Sequence, residues 1–239
     1  MITTSSTENQ SKMKYKKIFL YLTGYGPFGG AKDNPTQLLI ETIKKKYHNK
    51  LNTKFTQLKY STIYEVKSWM VDKNFPKLTE MIKKSRTNIK NKDTLYIILN
   101  FGAFISESIN VESEAVNFLN ENITGLGPFK PTPINTKKDK NYRLPTKIDV
   151  PELLRNVQTI SEKFGKKCHQ SKDAGNYLCN YLMYKSIEFS YLYENVLATF
   201  VHIPNQGVIS IEEEVEFLKV LIKAFEKMYL DVDEEVVNV

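Results

Sequence analysis

Short apolar runs alternate along the chain with longer stretches in which apolar residues recur every three or four positions. "KKIFLYLTG" (16–24), "TQLKYST" (56–62), "DTLYIILNFG" (93–102) and "VLATFVHIP" (196–204) predict strands, three of them dense in apolar residues. "NPTQLLIETIKKKY" (34–47) predicts a helix, with Asn34 placed to cap it and Pro35 at its first position. "FPKLTEMIKKSR" (75–86), "VPELLRNVQTISEKFG" (150–165) and "DAGNYLCNYLMYKSIEFSY" (173–191) predict three more. The last is "SIEEEVEFLKVLIKAFEKMYL" (210–230), with an apolar stripe near Val215, Leu218, Leu221, Ile222 and Phe225. Strands that alternate with helices imply an α/β fold whose mostly parallel sheet is covered on both faces. In such sheets the chemistry collects in loops beyond the carboxyl ends of the strands.

No Gly/Ser-rich or Pro-rich linker divides the 239 residues, so one domain is expected over 15–231, with a polar tail at 1–14 and an acidic tail at 232–239. The formal charge of +7 raises the question of nucleic acid, but the lysines are dispersed, as at 44–46, 83–84, 137–138 and 166–167. None interleaves with aromatics to form a stacking surface, so no nucleic-acid partner is expected. The longest apolar runs fall far short of the roughly 18 residues that span a bilayer, and "MITTSSTENQSKMK" has no apolar signal core. A cytoplasmic protein without a membrane partner is the expectation.

Two cysteines, Cys168 and Cys179, are too few for a disulfide framework, and with His48, His169 and His202 in unrelated contexts they suggest no metal site. Thiol chemistry or packing remains. Cys179 lies near the start of a predicted helix that Ser171 or Asp173 would cap, where unpaired N–H groups and the helix dipole favour a thiolate, although a lone cysteine in an apolar helical pattern is more often a buried core residue. Cys168 sits in a segment with no clear element, and the adjacent His169 would point to the opposite side of an extended chain. His202 interrupts an apolar strand just before Pro204, at the carboxyl edge of the sheet. The loop "GAFISESINVESEAVN" carries Glu107, Glu112 and Glu114, and the residues alone do not choose among them. The glycine-rich "TGYGPFGG" (23–30) matches neither dinucleotide nor P-loop spacing, and Tyr25, Pro27 and Phe28 suit a flat apolar ligand or simple packing better than a phosphate. A Cys, a His and a Glu at three strand ends could supply a nucleophile, a general base and an orienting group.

"TGYGPFGGAKDNPT", "INVESEAVN", "SKDAGNYLCNYLMYKS" and "FVHIP" together resemble the successive signature segments of the pyroglutamyl peptidase I family of cysteine peptidases, in order, from about Lys16 to the last helix. The resemblance implies a three-layer α/β/α sandwich with a mostly parallel mixed central sheet, of the phosphorylase/hydrolase-like kind. It places the nucleophile on Cys179 and the general base on His202, and chooses Glu112 as their acidic partner because the family's glutamate precedes the asparagine matching Asn117 by five positions. Tyr25 and Phe28, with Tyr177 and Leu178 just before the cysteine, match positions that line the pyrrolidone pocket, and Asn34 matches the asparagine that closes the first loop. The implied activity is removal of N-terminal pyroglutamate from peptides, by a monomer or homotetramer, with no metal or organic cofactor.

The sequence departs from the family's pattern at two places. Tyr25 stands where phenylalanine is usual. "NFGAFISESINVE" is about one residue shorter than the usual loop and lacks its second glycine, with Phe104 close to that place. A descendant that binds peptides with weak or altered turnover is therefore the competing reading.

Overall fold

The computed structural model describes residues 15–29, 32–120, 131–205 and 207–231; the expected tails at 1–14 and 232–239 lie outside them. In chain order the elements are β1 (Lys17–Tyr25), α1 (Pro35–Thr42, continued by a π-helical turn Ile43–Tyr47), β2 (Thr56–Tyr64), α2 (Ser68–Arg86) and β3 (Thr94–Phe104). Three short strands follow, β4 (Ile109–Glu112), β5 (Glu114–Val116) and β6 (Arg143–Pro145), and then α3 (Val150–Ile160), α4 (Glu162–Gly165), β7 (Cys168–Ser171), α5 (Leu178–Ser190), β8 (Val196–Pro204) and α6 (Ile211–Tyr229). Six strands form one sheet in the order β2-β1-β3-β8-β4-β7, and β5 pairs with β6 in a small separate ribbon. The pairs β2/β1, β1/β3, β3/β8 and β4/β7 are parallel, whereas β4 runs antiparallel to β8. The sheet is thus mixed and mostly parallel.

Side-chain alternation sorts the buried residues into two layers. Ile18, Leu20, Leu22, Leu95, Ile97, Leu99, Val201 and Ile203 pack on one face with α1, α3 and α6. Phe19, Tyr21, Tyr25, Tyr96, Ile98, Ala198 and Phe200 pack on the other with α2 and α5. Because both faces are covered, the central strands read as continuous apolar runs.

Local chemistry accounts for the element ends that differ from expectation. α2 begins at Ser68, seven residues before the expected start, and carries Pro76 in its interior; Val71, Phe75, Leu78 and Ile82 bury one face of it and hold it against the sheet. The expected helix 150–165 breaks at Ser161, which is extended (φ −149°, ψ 106°). Ser171 and Asp173 do not cap α5: Asp173 Oδ1 accepts from the N–H of Gly175 at 3.0 Å, and Gly175 has φ +78°, so these residues form a turn before the helix begins at Leu178. Asn34 does cap α1, accepting from Thr36 N–H at 2.9 Å, and its Nδ2 donates to Gly26 O at 3.0 Å, bracing the glycine loop. Cys168, expected in no element, opens edge strand β7 and is buried, while His169 is exposed on the other side.

α6 buries two carboxylates differently. Glu226 accepts hydrogen bonds from Thr53 and Thr56. Glu214 is 2% exposed, its Oε2 has no partner among the described residues, and burial pushes its carboxyl from an ordinary 4.5 up to about 8. A carboxyl raised on folding contributes full stability below its unfolded value, and that contribution is lost as pH rises toward the folded value. Wild-type protein is therefore expected to lose roughly 3 kcal/mol through this residue between pH 4.5 and pH 7, at about 1.4 kcal/mol per unit, and Glu214→Gln removes that slope. Urea unfolding of both proteins across this range checks it; a stability difference that stays constant with pH contradicts the assignment.

Candidate active site

Three carboxyl-end segments and the start of one helix meet on the α5 face of the sheet. In the β3/β8 register Gly102 lies beside His202 and Phe104 beside Pro204. In the antiparallel β4/β8 register Asn110 opposes His202 and Glu112 opposes Phe200, so Glu112 and His202 share a face as diagonal neighbours. His202 Nδ1 is 2.8 Å from Glu112 Oε1, and both side chains are buried. Thr199 Oγ1 fixes the same strand by donating to the Glu112 carbonyl at 2.6 Å. Of the three candidate carboxylates only Glu112 makes this contact: Glu107 is exposed, and Glu114 pairs with Arg143 at 2.6 Å.

The thiol reaches the imidazole from α5. Cys179 is the second residue of the helix and partly exposed, and its sulfur, packed against Gly102 beside His202, is near enough to the imidazole to favour its protonated form. Tyr177, the N-cap residue, offers no side-chain cap, so the first-turn N–H groups and the positive end of the helix dipole lie beside the sulfur. Gly102 makes the approach possible. A Cβ there would fall 2.9 Å from Cys179 Sγ and 2.7 Å from the Phe200 ring, space that no side chain could share.

The imidazole is held between charges and rings. Burial alone would depress His202, but the hydrogen bonds to Cys179 and Glu112 and their charges outweigh it and raise the group to about 9, so the ring carries two protons at neutral pH. Glu112 Oε2 is buried without a hydrogen-bond partner among the described residues, which makes the adjacent imidazolium the main compensation for that carboxylate. Phe200 packs on the ring at 4.8 Å and Phe104 at 5.4 Å between centroids.

The expected pocket residues surround this centre in different ways. Tyr25 is buried, and its hydroxyl donates to the Leu178 carbonyl at 2.7 Å, tying the end of β1 to the residue before Cys179. Burial, and then the neighbouring Cys179, Tyr64 and Tyr181, hold the Tyr25 hydroxyl far above its usual range, so it remains a donor. Leu178 is buried in the α5-side core, Tyr177 is 41% exposed, and Phe28 is 48% exposed on the rim of a hollow of about 410 Å³ that Ile63 and Val66 also line. Residues the sequence reading did not single out complete the frame. Asn180 accepts from Val116 N–H at 2.8 Å and donates to the carbonyls of Val116 and Phe118, clamping α5 to β5. Buried Asn100 accepts from Thr23 and donates to Ser186, joining β1, β3 and α5. Asn100 ends the apolar run "LYIIL", a polar residue where burial is expected, and that was its one visible signal.

Among the described residues no group of His, Cys, Asp or Glu could hold a metal ion, and no helix is long and apolar enough to cross a membrane.

Comparison with known proteins agrees over most of the chain. The family model described as pyroglutamyl peptidase matches residues 16–220. The pyrrolidone-carboxylate peptidase of Lactobacillus acidophilus is 30% identical over 193 residues, covering 77% of this chain and 82% of the relative. That of Thermococcus litoralis is 28% identical over 191 residues, 79% of this chain and 76% of the relative. The solved pyrrolidone carboxyl peptidase of T. litoralis superposes with a TM-score of 0.66 at 23% identity, over 92% of this chain and 99% of that one. That of Pyrococcus furiosus gives 0.68 at 22%, over 88% and 99%.

Proposed function

The chain belongs to the pyroglutamyl peptidase family, and from that premise and the geometry of the site we propose that it removes N-terminal pyroglutamate from peptides with Cys179 as nucleophile, His202 as general base and acid, and Glu112 as the orienting carboxylate. The observation that carries the assignment of roles is the convergence of Cys179, His202 and Glu112 from α5, β8 and β4, with the sulfur against Gly102 beside His202 and the imidazole Nδ1 on Glu112 Oε1.

The chemistry follows from those contacts. The Cys179 thiolate, paired with the His202 imidazolium, adds to the carbonyl that joins pyroglutamate to the next residue. N–H groups of the first turn of α5 stabilise the resulting oxyanion. His202 gives its proton to the leaving amine, the C–N bond breaks, and a thioester on Cys179 remains. Water then attacks that thioester, His202 accepts its proton, and free pyroglutamate departs as the thiolate reforms. Glu112 holds Nδ1, so that the opposite nitrogen faces sulfur and leaving group. Pyroglutamate carries no ammonium, so its lactam ring can be held against the exposed rings of Phe28 and Tyr177 where a charged N-terminus would lose hydration. A binding role without turnover is disfavoured, since all three reacting groups are gathered at one site.

Two free thiols, one of them reactive in this scheme, suit a reducing compartment and support a cytoplasmic location. The reading is tested by incubating purified protein with a pyroglutamyl anilide. Release of the chromophore with equimolar free pyroglutamate is expected, and no release over background at micromolar enzyme refutes it.

A further inference from the structure

We propose that Phe104 selects the residue that follows the scissile bond, giving this chain a preference for peptides whose second residue has a large apolar side chain. The inference rests on the peptidase reading above and concerns the leaving-group side of the same site.

His202 is flanked by two phenylalanines of opposite character. Phe200 is fully buried and closes the inner side of the imidazole, at 4.8 Å. Phe104 lies on the outer side at 5.4 Å and leaves 46% of its surface open. In the β3/β8 register Phe104 stands two residues beyond Gly102, on the same face as Gly102 and His202 but further toward the carboxyl edge. Gly102 leaves the space that Cys179 sulfur occupies; Phe104 therefore begins where that space ends.

The leaving amine cannot avoid this ring. Glu112 occupies Nδ1, so Nε2 is the nitrogen that protonates the departing nitrogen, and general acid transfer needs the two within about 3 Å. The side chain of the second residue starts two bonds from that nitrogen, which brings it to the open side of Phe104. Ile105 follows in the chain at 87% exposure. No charged residue occurs from Asn100 to Ser106, so this stretch of wall recognises an apolar side chain by burial.

Rates on four peptide amides decide the matter, with phenylalanine, leucine, alanine or aspartate after pyroglutamate, for wild type, Phe104→Ala and Phe104→Leu. Wild type is expected to favour phenylalanine and leucine over alanine by about tenfold in kcat/KM, within the range one hydrophobic contact supplies. Phe104→Ala should compress that ratio to about twofold, and Phe104→Leu should keep most of it. A merely structural role would lower all four rates together and leave their ratios intact, which overturns the proposal, as does a flat wild-type preference. Hydrolysis of none of the four by wild type refutes the peptidase reading itself.

Discussion

Replacing Cys179 with alanine is expected to lower pyroglutamate release by at least about 10³–10⁴-fold, the scale on which covalent peptidases lose rate with their nucleophile. Among the described residues no other thiol or hydroxyl group pairs with His202, so the residual rate should reflect a positioned water. Structure should survive. The sulfur is partly exposed and borders Gly102, and α5 is held through the Asn180 clamp and the Tyr25–Leu178 bond rather than through the thiol. Steady-state kinetics on the anilide substrate, with thermal unfolding beside them, measure both. Alkylation separates the two cysteines: iodoacetamide should inactivate the wild type by labelling Cys179, while Cys168, buried and with its thiol pushed up to about 12 by that burial, is spared. Equal turnover by Cys179→Ala, or first labelling at Cys168, removes the assignment.

Glu112→Gln is expected to lower kcat/KM by about 10²–10³-fold at neutral pH and to change the shape of the pH profile. In the wild type the protonated imidazole is lost only above about pH 9, because Cys179 and Glu112 stabilise it against the cost of burial. An amide keeps the shape of the carboxylate but removes its charge. The proton on His202 then leaves at lower pH, so the alkaline limb of kcat/KM moves downward. Glutamine also has a donor that can face Nδ1 and turn the ring to the wrong tautomer. A profile whose alkaline limb stays near pH 9 would show that Glu112 does not act through the imidazole.

The elements legible in the sequence were those whose burial leaves a long pattern. β1, β3 and β8 read as unbroken apolar runs because both faces are covered, and α6 read as a stripe, to which the structure adds a capping box at Ser210 and Glu213. Strands β4 to β7 were not legible. They are three or four residues long, "INVE", "EAV", "RLP" and "CHQS", too short to display a period of two, and their pairing comes from distant partners. The early start of α2 was hidden by Pro76, which reads as a helix breaker although Trp69, Met70 and Val71 precede it in the same helix. Asp173 and Ser171 looked like caps because the same residue types serve turns and helix starts.

The site was legible in its chemistry and not in its geometry. Cys179 and His202 were visible as candidates at element ends, although each taken alone read more readily as a buried core residue. The choice of Glu112 over Glu107 and Glu114 required the family resemblance, since β4 itself was invisible; in the structure Glu112 is the one that reaches His202. Gly102 appeared only as the end of a strand, because a glycine's reason lies in the atoms that pack against it, and Cys179 is 77 positions away in sequence.

The strand order has a consequence for how the chain is made. β3 and β4 are consecutive in sequence, yet β8, the last strand to leave the ribosome, is inserted between them and brings His202 with it. Until that strand arrives, the sheet is two fragments with open edges, exposed to mispairing. A nascent chain with Cys179 already present therefore has neither a closed core nor an imidazole beside the thiol. Peptidase competence and completion of the fold arrive in one step, and that step joins segments nearly a hundred residues apart, a slow kind of closure.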